Sequence, residues 1–256
     1  MADPKTTRNV PLLVAAGAVM VAALVAIVIG FNHASNTGVN RGTAATPTAA
    51  VASPTPSGTP VPYADCSTAS FGPALQPLGA PSSVHTYANV PGMSIDLTKL
   101  YQVTITTPRG KIVLCLQPNL APQTVNVFVT LARNHYYDGV PFHRVVSGFV
   151  VQGGDPSCIG NVPAAPASPS GTCGQGGPGF KFNDEPVQEK YAAGCVAMAN
   201  SGQNTNGSQF FICSADDTQQ LQNLYNLFGK VESGMDVVTQ TQQGDVMQTV
   251  TVAESQ

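Results

Sequence analysis

The chain is short of charge. Charged side chains make up 10% of its 256 residues, 11 basic against 14 acidic. No basic stripe is therefore available to neutralise a phosphate backbone, and nucleic-acid binding is excluded. From residue 84 onward the balance is more acidic still, 8 basic against 12 acidic. Histidine is scarce: four residues, widely scattered, and the six cysteines include no Cys-x-x-Cys pair, which argues against a zinc site. Glycine is plentiful, but Gly153-Gly154 and the glycines of 174–179 lack the Gly-x-Gly-x-x-Gly spacing and following helix of a dinucleotide site. They read as turns and close backbone approaches. Ser201 and Ser208 lack the His/Asp relay that a serine nucleophile needs. No metal, cofactor or covalent intermediate is expected.

Residues 10–31 form an uncharged run rich in Val, Ala, Leu and Ile. As a helix it would reach about 33 Å, enough to cross a hydrocarbon core of roughly 30 Å. Lys5 and Arg8 precede it, and Arg41 is the only basic residue between it and Lys99, a bias that keeps the N-terminus cytoplasmic and exports the rest. The alternative is a cleaved signal peptide. The run is longer than the usual signal core, and its nearest cleavage candidate, Asn32-His33-Ala34, fits poorly. A retained single-pass anchor in the cell membrane is the expectation. That gives a cytoplasmic segment 1–9, an anchor 10–31 in contact with the bilayer, a linker 32–83 and an extracytoplasmic domain 84–256.

The linker is mostly Ala, Thr, Pro, Ser and Gly. It has too little apolar surface to offset backbone ordering, and a mobile tether is expected. Six cysteines suit an oxidising compartment. Cys158 and Cys173 bracket a Pro/Ala/Ser/Gly loop and are the preferred pair. Cys195 and Cys213 could be linked or merely buried, and Cys66 and Cys115 are left for each other; spacing does not fix the connectivity.

Beyond the linker, apolar and polar residues alternate from Tyr101 through Val103 and Ile105. After Pro108-Arg109-Gly110 the alternation resumes at Ile112, Leu114 and Leu116, so a hairpin is predicted. Pro122 suits a first helical turn, and Val125, Phe128, Val129 and Ala132 recur at helical spacing. Short apolar segments at 145–152, 194–198, 209–213 and 228–231 predict strands. A second helix is expected over about 235–241 and a closing strand over 246–253. Many short strands, Gly-rich turns and two modest helices indicate a mainly β fold, a closed or nearly closed antiparallel barrel.

Three stretches carry the chemistry. They are Phe142-His143-Arg144-Val145, Gly148-Phe149 with Gln152-Gly153-Gly154-Asp155, and Met198-Ala199-Asn200 through Asn204-Thr205-Asn206-Gly207-Ser208-Gln209-Phe210-Phe211-Ile212. They offer one fixed cation, several amides and exposed aromatics, a set suited to holding and distorting a peptide. With them, the region from about Tyr101 to Val252 resembles the cyclophilins, peptidyl-prolyl cis-trans isomerases, and in particular bacterial membrane-anchored members.

The resemblance implies a closed eight-stranded antiparallel barrel capped by two helices, with the groove on its outer face. It implies Arg144 as the catalytic arginine, with Phe149 and Gln152 beside it. Val150, Phe211 and Leu221 complete a proline pocket with Phe149, while Asn200, Ser201 and Gln209 line the peptide groove. Gln220 stands where the best-known eukaryotic members have a tryptophan, and Tyr225 matches their rim histidine. The chain contains no tryptophan at all, and without that indole tight cyclosporin binding is not expected.

The chemistry follows from the amide. A prolyl bond must pass a twisted state against about 18–20 kcal/mol, and no bond breaks. A guanidinium can donate to the prolyl nitrogen as resonance is lost. The expected function is Xaa–Pro isomerisation in exported proteins by a monomer, with Pro-containing segments of exported or cell-envelope proteins as partners. A proline-segment-binding chaperone or scaffold with little turnover is the alternative. His143 reads as structural, Phe142 and Phe210 as core, and Asp155 and Asp184-Glu185 as turn or solvated carboxylates.

Overall fold

The computed structural model describes residues 66–78, 85–162 and 172–256. Nine strands form one antiparallel sheet: β1 (Phe71–Ala74), β2 (Tyr101–Thr107), β3 (Gly110–Leu116), β4 (Arg144–Val145), β5 (Val150–Gly153), β6 (Cys195–Met198), β7 (Phe210–Cys213), β8 (Leu227–Ser233) and β9 (Thr249–Ser255). Helices α1 (Pro122–Arg133) and α2 (Met235–Gln240) accompany it. Across the sheet the order is β1-β9-β2-β3-β8-β6-β7-β5-β4.

The period-two pattern sets the register. Val103 pairs with Leu114 and Val252, and Ile105 with Ile112 and Val250. All of these side chains are buried on one face. A one-residue slip would turn the whole set to solvent, which is why the pairing is well specified. In α1 the stripe Val125, Phe128, Val129 and Ala132 is buried against that core. Phe128 stacks on Tyr137 and meets Phe210 edge-on, at centroid distances of 4.8 and 5.2 Å.

Ala121 gives α1 no side-chain cap. The Glu185 carboxylate takes that role from a distant loop, accepting from the N–H groups of Gln123 (2.9 Å) and Thr124 (2.8 Å) and from Thr124 Oγ1 (2.6 Å). A negative group here satisfies orphan donors and faces the positive end of the helix. Burial raises the Glu185 pKa even against these three bonds. Glu185 is thus neither a turn residue nor a solvated one.

Two sequence expectations are corrected. The sheet has nine strands rather than eight, and it is not closed into a barrel. β1 occupies one edge, and the other edge, β4, is only two residues long. The segment before β4 meets the segment before β9 without a named strand ladder: an isolated bridge, Pro141 with Val246, is flanked by backbone hydrogen bonds that include Phe142 N–H to Asp245 O (2.8 Å) and Met247 N–H to Val140 O (3.0 Å).

The second correction concerns the membrane. No helix among the described residues is long and apolar enough to cross one, and the anchor expected at 10–31 lies outside the described residues. The single-pass location, the bilayer contact and the membrane-anchored kind of family member therefore give way to a cyclophilin-like domain without a transmembrane helix among its described residues.

The end of the stretch read as linker belongs to the sheet. Leu75 N–H donates to Val252 O (2.7 Å) and Gln256 N–H to Ser70 O (2.8 Å), holding β1 along β9. Pro73 is tolerated there because β1 is an edge strand. Disulfides join Cys66 to Cys115, Cys158 to Cys173 and Cys195 to Cys213.

Candidate functional site

The register of β4, β5, β7 and β6 builds the site. Arg144 lies opposite Gln152, Gln152 opposite Phe211, and Phe211 opposite Ala197. These four form one row across the sheet. Two residues along each strand, Val150 and Cys213 sit opposite each other, and Cys195 is bonded to Cys213. Alternation puts both rows on one face, while Val151, Ile212, Val196, Phe210 and Met198 point into the main core. The outer face consequently carries its own apolar cluster: Val150, Tyr191, Cys195, Ala197, Phe211 and Cys213, with Phe149, Leu221 and Tyr225 packed against it.

Arg144 is half-buried at the edge of this cluster. Its Nη1 donates to Gln152 Oε1 at 3.3 Å, and its Cζ lies 5.9 Å from the centre of the Phe149 ring, within cation–π range. Burial lowers the guanidinium pKa from its usual value, with Tyr225 acting in the opposite sense. A chain of amides continues inward. Gln152 Nε2 donates to Gln209 Oε1 (3.1 Å), and Gln209 Nε2 donates to Gly176 O (2.9 Å) and Gly174 O (3.1 Å). A cavity of about 90 Å³ opens beside these amides, bounded also by Asn200, Ser201 and Lys181.

Asp155 ends the chain. The sequence reading made it a turn or solvated carboxylate; it is fully buried. Its Oδ1 accepts from Ser157 N–H (2.9 Å) and Oγ (2.7 Å). Its Oδ2 accepts from the N–H groups of Gly174 (2.7 Å) and Gly176 (2.9 Å) and from Gln209 Nε2 (3.3 Å). The Cys158–Cys173 link closes the loop just before these glycines. Gly154 comes next to Asp155 at φ +90°, where an added Cβ would meet Ser208 O. Only glycine fits there without displacing the backbone.

The remaining expected residues divide. Phe142 and Phe210 face the core, fully buried. His143 is buried with both ring nitrogens unpartnered among the described residues. Burial lowers its pKa, Asp155 opposing and Arg144 adding, so it is a neutral packed ring. Asn200 donates its Nδ2 to Leu224 O (2.8 Å), tying the groove to the loop behind it. Ser201 is exposed, with its N–H donating to Thr205 Oγ1 at 2.8 Å. Phe211 meets Tyr225 edge-on at 5.5 Å. Sequence reasoning missed Tyr191, Ala197 and the glycines of 174–176. Only the i, i+2 relation of Ala197 to Cys195 could have signalled any of them.

Behind Leu221, Asp217 is fully buried. Its Oδ1 accepts from Gln220 Nε2 at 3.3 Å, and its Oδ2 has no partner among the described residues. Burial first, and the Asp216 carboxylate second, push its pKa up to about 6. A raised pKa means that the folded state holds this proton more tightly than the unfolded state does. Stability from it is therefore present below the unfolded value of about 4 and is lost as pH rises through about 6. Asp217→Asn is expected to unfold at a higher temperature than wild type at about pH 7, with the gap closing by about pH 4. Parallel melting curves at the two pH values check this, and a gap independent of pH would rule it out.

The family model for cyclophilin type peptidyl-prolyl cis-trans isomerases matches residues 102–255. A peptidyl-prolyl cis-trans isomerase of Helicobacter pylori is 39% identical over 164 residues, covering 62% of this chain and 91% of that protein. One from Schizosaccharomyces pombe is 44% identical over 140 residues, covering 53% of this chain and 81% of its own length. A family match over more than half of the chain, together with a relative 39% identical and covered over 91% of its length, leaves one conclusion. This chain belongs to the cyclophilin-type peptidyl-prolyl cis-trans isomerases, and it is an enzyme of that activity.

Proposed function

We propose that the enzyme rotates Xaa–Pro bonds without covalent chemistry, with Arg144 stabilising the twisted amide. The observation that carries this reading is the outer-face row Arg144–Gln152–Phe211–Ala197. It sets a guanidinium two strands away from the buried Phe211, with Gln152 between them. A pyrrolidine ring seated on Phe211 and Val150 would lie within reach of the Arg144 fork.

As the amide twists, its nitrogen regains a lone pair and becomes a better acceptor. A donor aimed at that atom binds the twisted state more tightly than the planar one, which lowers the barrier. Gln152 and the Phe149 face hold the guanidinium before substrate arrives, so little ordering is needed at the moment of rotation. Phe149, Val150, Phe211 and Leu221 grip the proline, while Asn200, Ser201 and Gln209 line the path of the flanking peptide, with Tyr225 at the rim. His143 needs no role as acid or base, since no proton moves.

The substrates in this reading are Xaa–Pro segments of exported proteins. Three disulfides support it, because such bonds persist where thiols are not kept reduced. The test is the cis-to-trans rate of an Ala–Pro peptide with the oxidised protein. Strong acceleration that is lost in Arg144→Ala carries the mechanism. Equal acceleration by both proteins would remove Arg144 from it.

A further inference from the structure

The loop 217–225 supplies two pocket residues, Leu221 and Tyr225, yet residues 219, 220 and 222–224 are exposed. Something must hold it in place. Three bonds from one buried side chain and its carbonyl do so at both ends. The Tyr191 hydroxyl donates to Tyr225 O at 2.8 Å and accepts the Tyr225 N–H at 3.0 Å. At the other end, Tyr191 O accepts the Asp217 N–H at 2.9 Å. Asp217 O in turn accepts from the N–H groups of Gln220 (2.9 Å) and Leu221 (3.0 Å), which shapes the turn that carries Leu221.

The ring adds to the grip. Tyr191 is fully buried in the outer-face cluster, with its centroid 6.4 Å from Phe211 and 6.2 Å from Tyr225. We propose that Tyr191 is a positioning residue of the isomerase: through the backbone of Tyr225 it fixes the far wall of the proline pocket, and so sets how tightly the residue following proline is held. This rests on the outer-face groove being the substrate site.

The chemistry suits the role. Burial pushes the Tyr191 pKa up to about 12, so the phenol stays neutral and can donate and accept at once. Both bonds to Tyr225 are part-buried, and losing them leaves its N–H and C=O without their partner beside an apolar wall. Phenylalanine would keep the packing and lose only the clamp.

The test is Tyr191→Phe in the full chain, with kcat and KM measured on Ala–Pro peptides bearing a large or a small residue after proline. KM is expected to rise about five-fold, since only part of the energy of the two lost hydrogen bonds reaches substrate binding, and more for the large residue, with kcat kept. In the double variant with Tyr225→Ala, the second change should add little. An unchanged KM with a lowered melting temperature would make Tyr191 merely structural and overturn the proposal. So would additive effects in the double variant.

Should Tyr191→Phe fail to fold, amide hydrogen exchange on the wild type decides. The Tyr225 amide should exchange far more slowly than those of Asn223 and Leu224, and equal rates would overturn the clamp. Arg144→Ala runs in parallel. If it stays fully active, the proposed role of Arg144 has failed; if it is inactive while Tyr191→Phe keeps its KM, only the positioning role has.

Discussion

Arg144→Ala is expected to lower kcat/KM for an Ala–Pro peptide on the order of 100- to 1000-fold, the usual cost of removing a donor aimed at the transition state. kcat should fall with it, because the proposed bond forms only as the amide twists. The fold should hardly notice. Arg144 makes one side-chain hydrogen bond, to Gln152 at 3.3 Å, among the described residues and leans on the Phe149 ring, so a melting shift of a few degrees at most is expected. Arg144→Lys should recover only a fraction of the rate. It keeps the charge but loses the planar fork that lets one N–H face Gln152 while others face substrate. Rates by coupled assay, read beside melting curves, separate these effects. A melting loss as large as the rate loss would show that the arginine holds structure instead.

Asp155→Ala is expected to be the most destabilising change at the site, on the order of 3–5 kcal/mol. The carboxylate receives five hydrogen bonds from Ser157, Gly174, Gly176 and Gln209. Alanine would leave two glycine N–H groups without their acceptor inside the fold. The loss should reach the chemistry as well, since Gln209 holds Gln152, and Gln152 holds Arg144. Asp155→Asn keeps one acceptor oxygen but turns an NH₂ group toward donors, so an intermediate loss is expected. Urea unfolding measures both. A cost under about 1 kcal/mol for alanine, the value of a single neutral hydrogen bond, would mean that the carboxylate is solvated in solution.

Local patterns were legible where one face is buried and the other is wet. Tyr101, Val103 and Ile105 declare β2 by alternation, and Val125, Phe128 and Val129 declare α1 by helical spacing. The motif residues Arg144, Gln152, Gln209 and Phe211 are far apart in the chain and adjoin in the fold. Closure was not legible, because it depends on how the segments before β4 and β9 meet, and here a bridge and a few backbone hydrogen bonds join them without a named ladder. β1 was hidden by composition. Phe71-Gly72-Pro73-Ala74 looks like linker, and it becomes a strand only because β9 offers it unpaired backbone groups. Asp155 and Tyr191 were hidden for another reason: key partners of both are backbone groups far away in the chain, Gly174 and Gly176 for Asp155 and Asp217 and Tyr225 for Tyr191, which leave no mark in the side-chain pattern.

The Cys66–Cys115 link gives the domain a particular response to force. Cys66 precedes β1 in the chain, and Cys115 sits in β3, between β2 and β8. Tension arriving from the N-terminal side would pass through sulfur into the interior of the sheet, bypassing β1 and everything else between the two cysteines. The edge strand, which a pull would otherwise peel from β9 one hydrogen bond at a time, carries no load. With the disulfide intact the domain should yield only when β3 shears against its neighbours, and under reducing conditions it should begin to unzip from its edge at a much lower force.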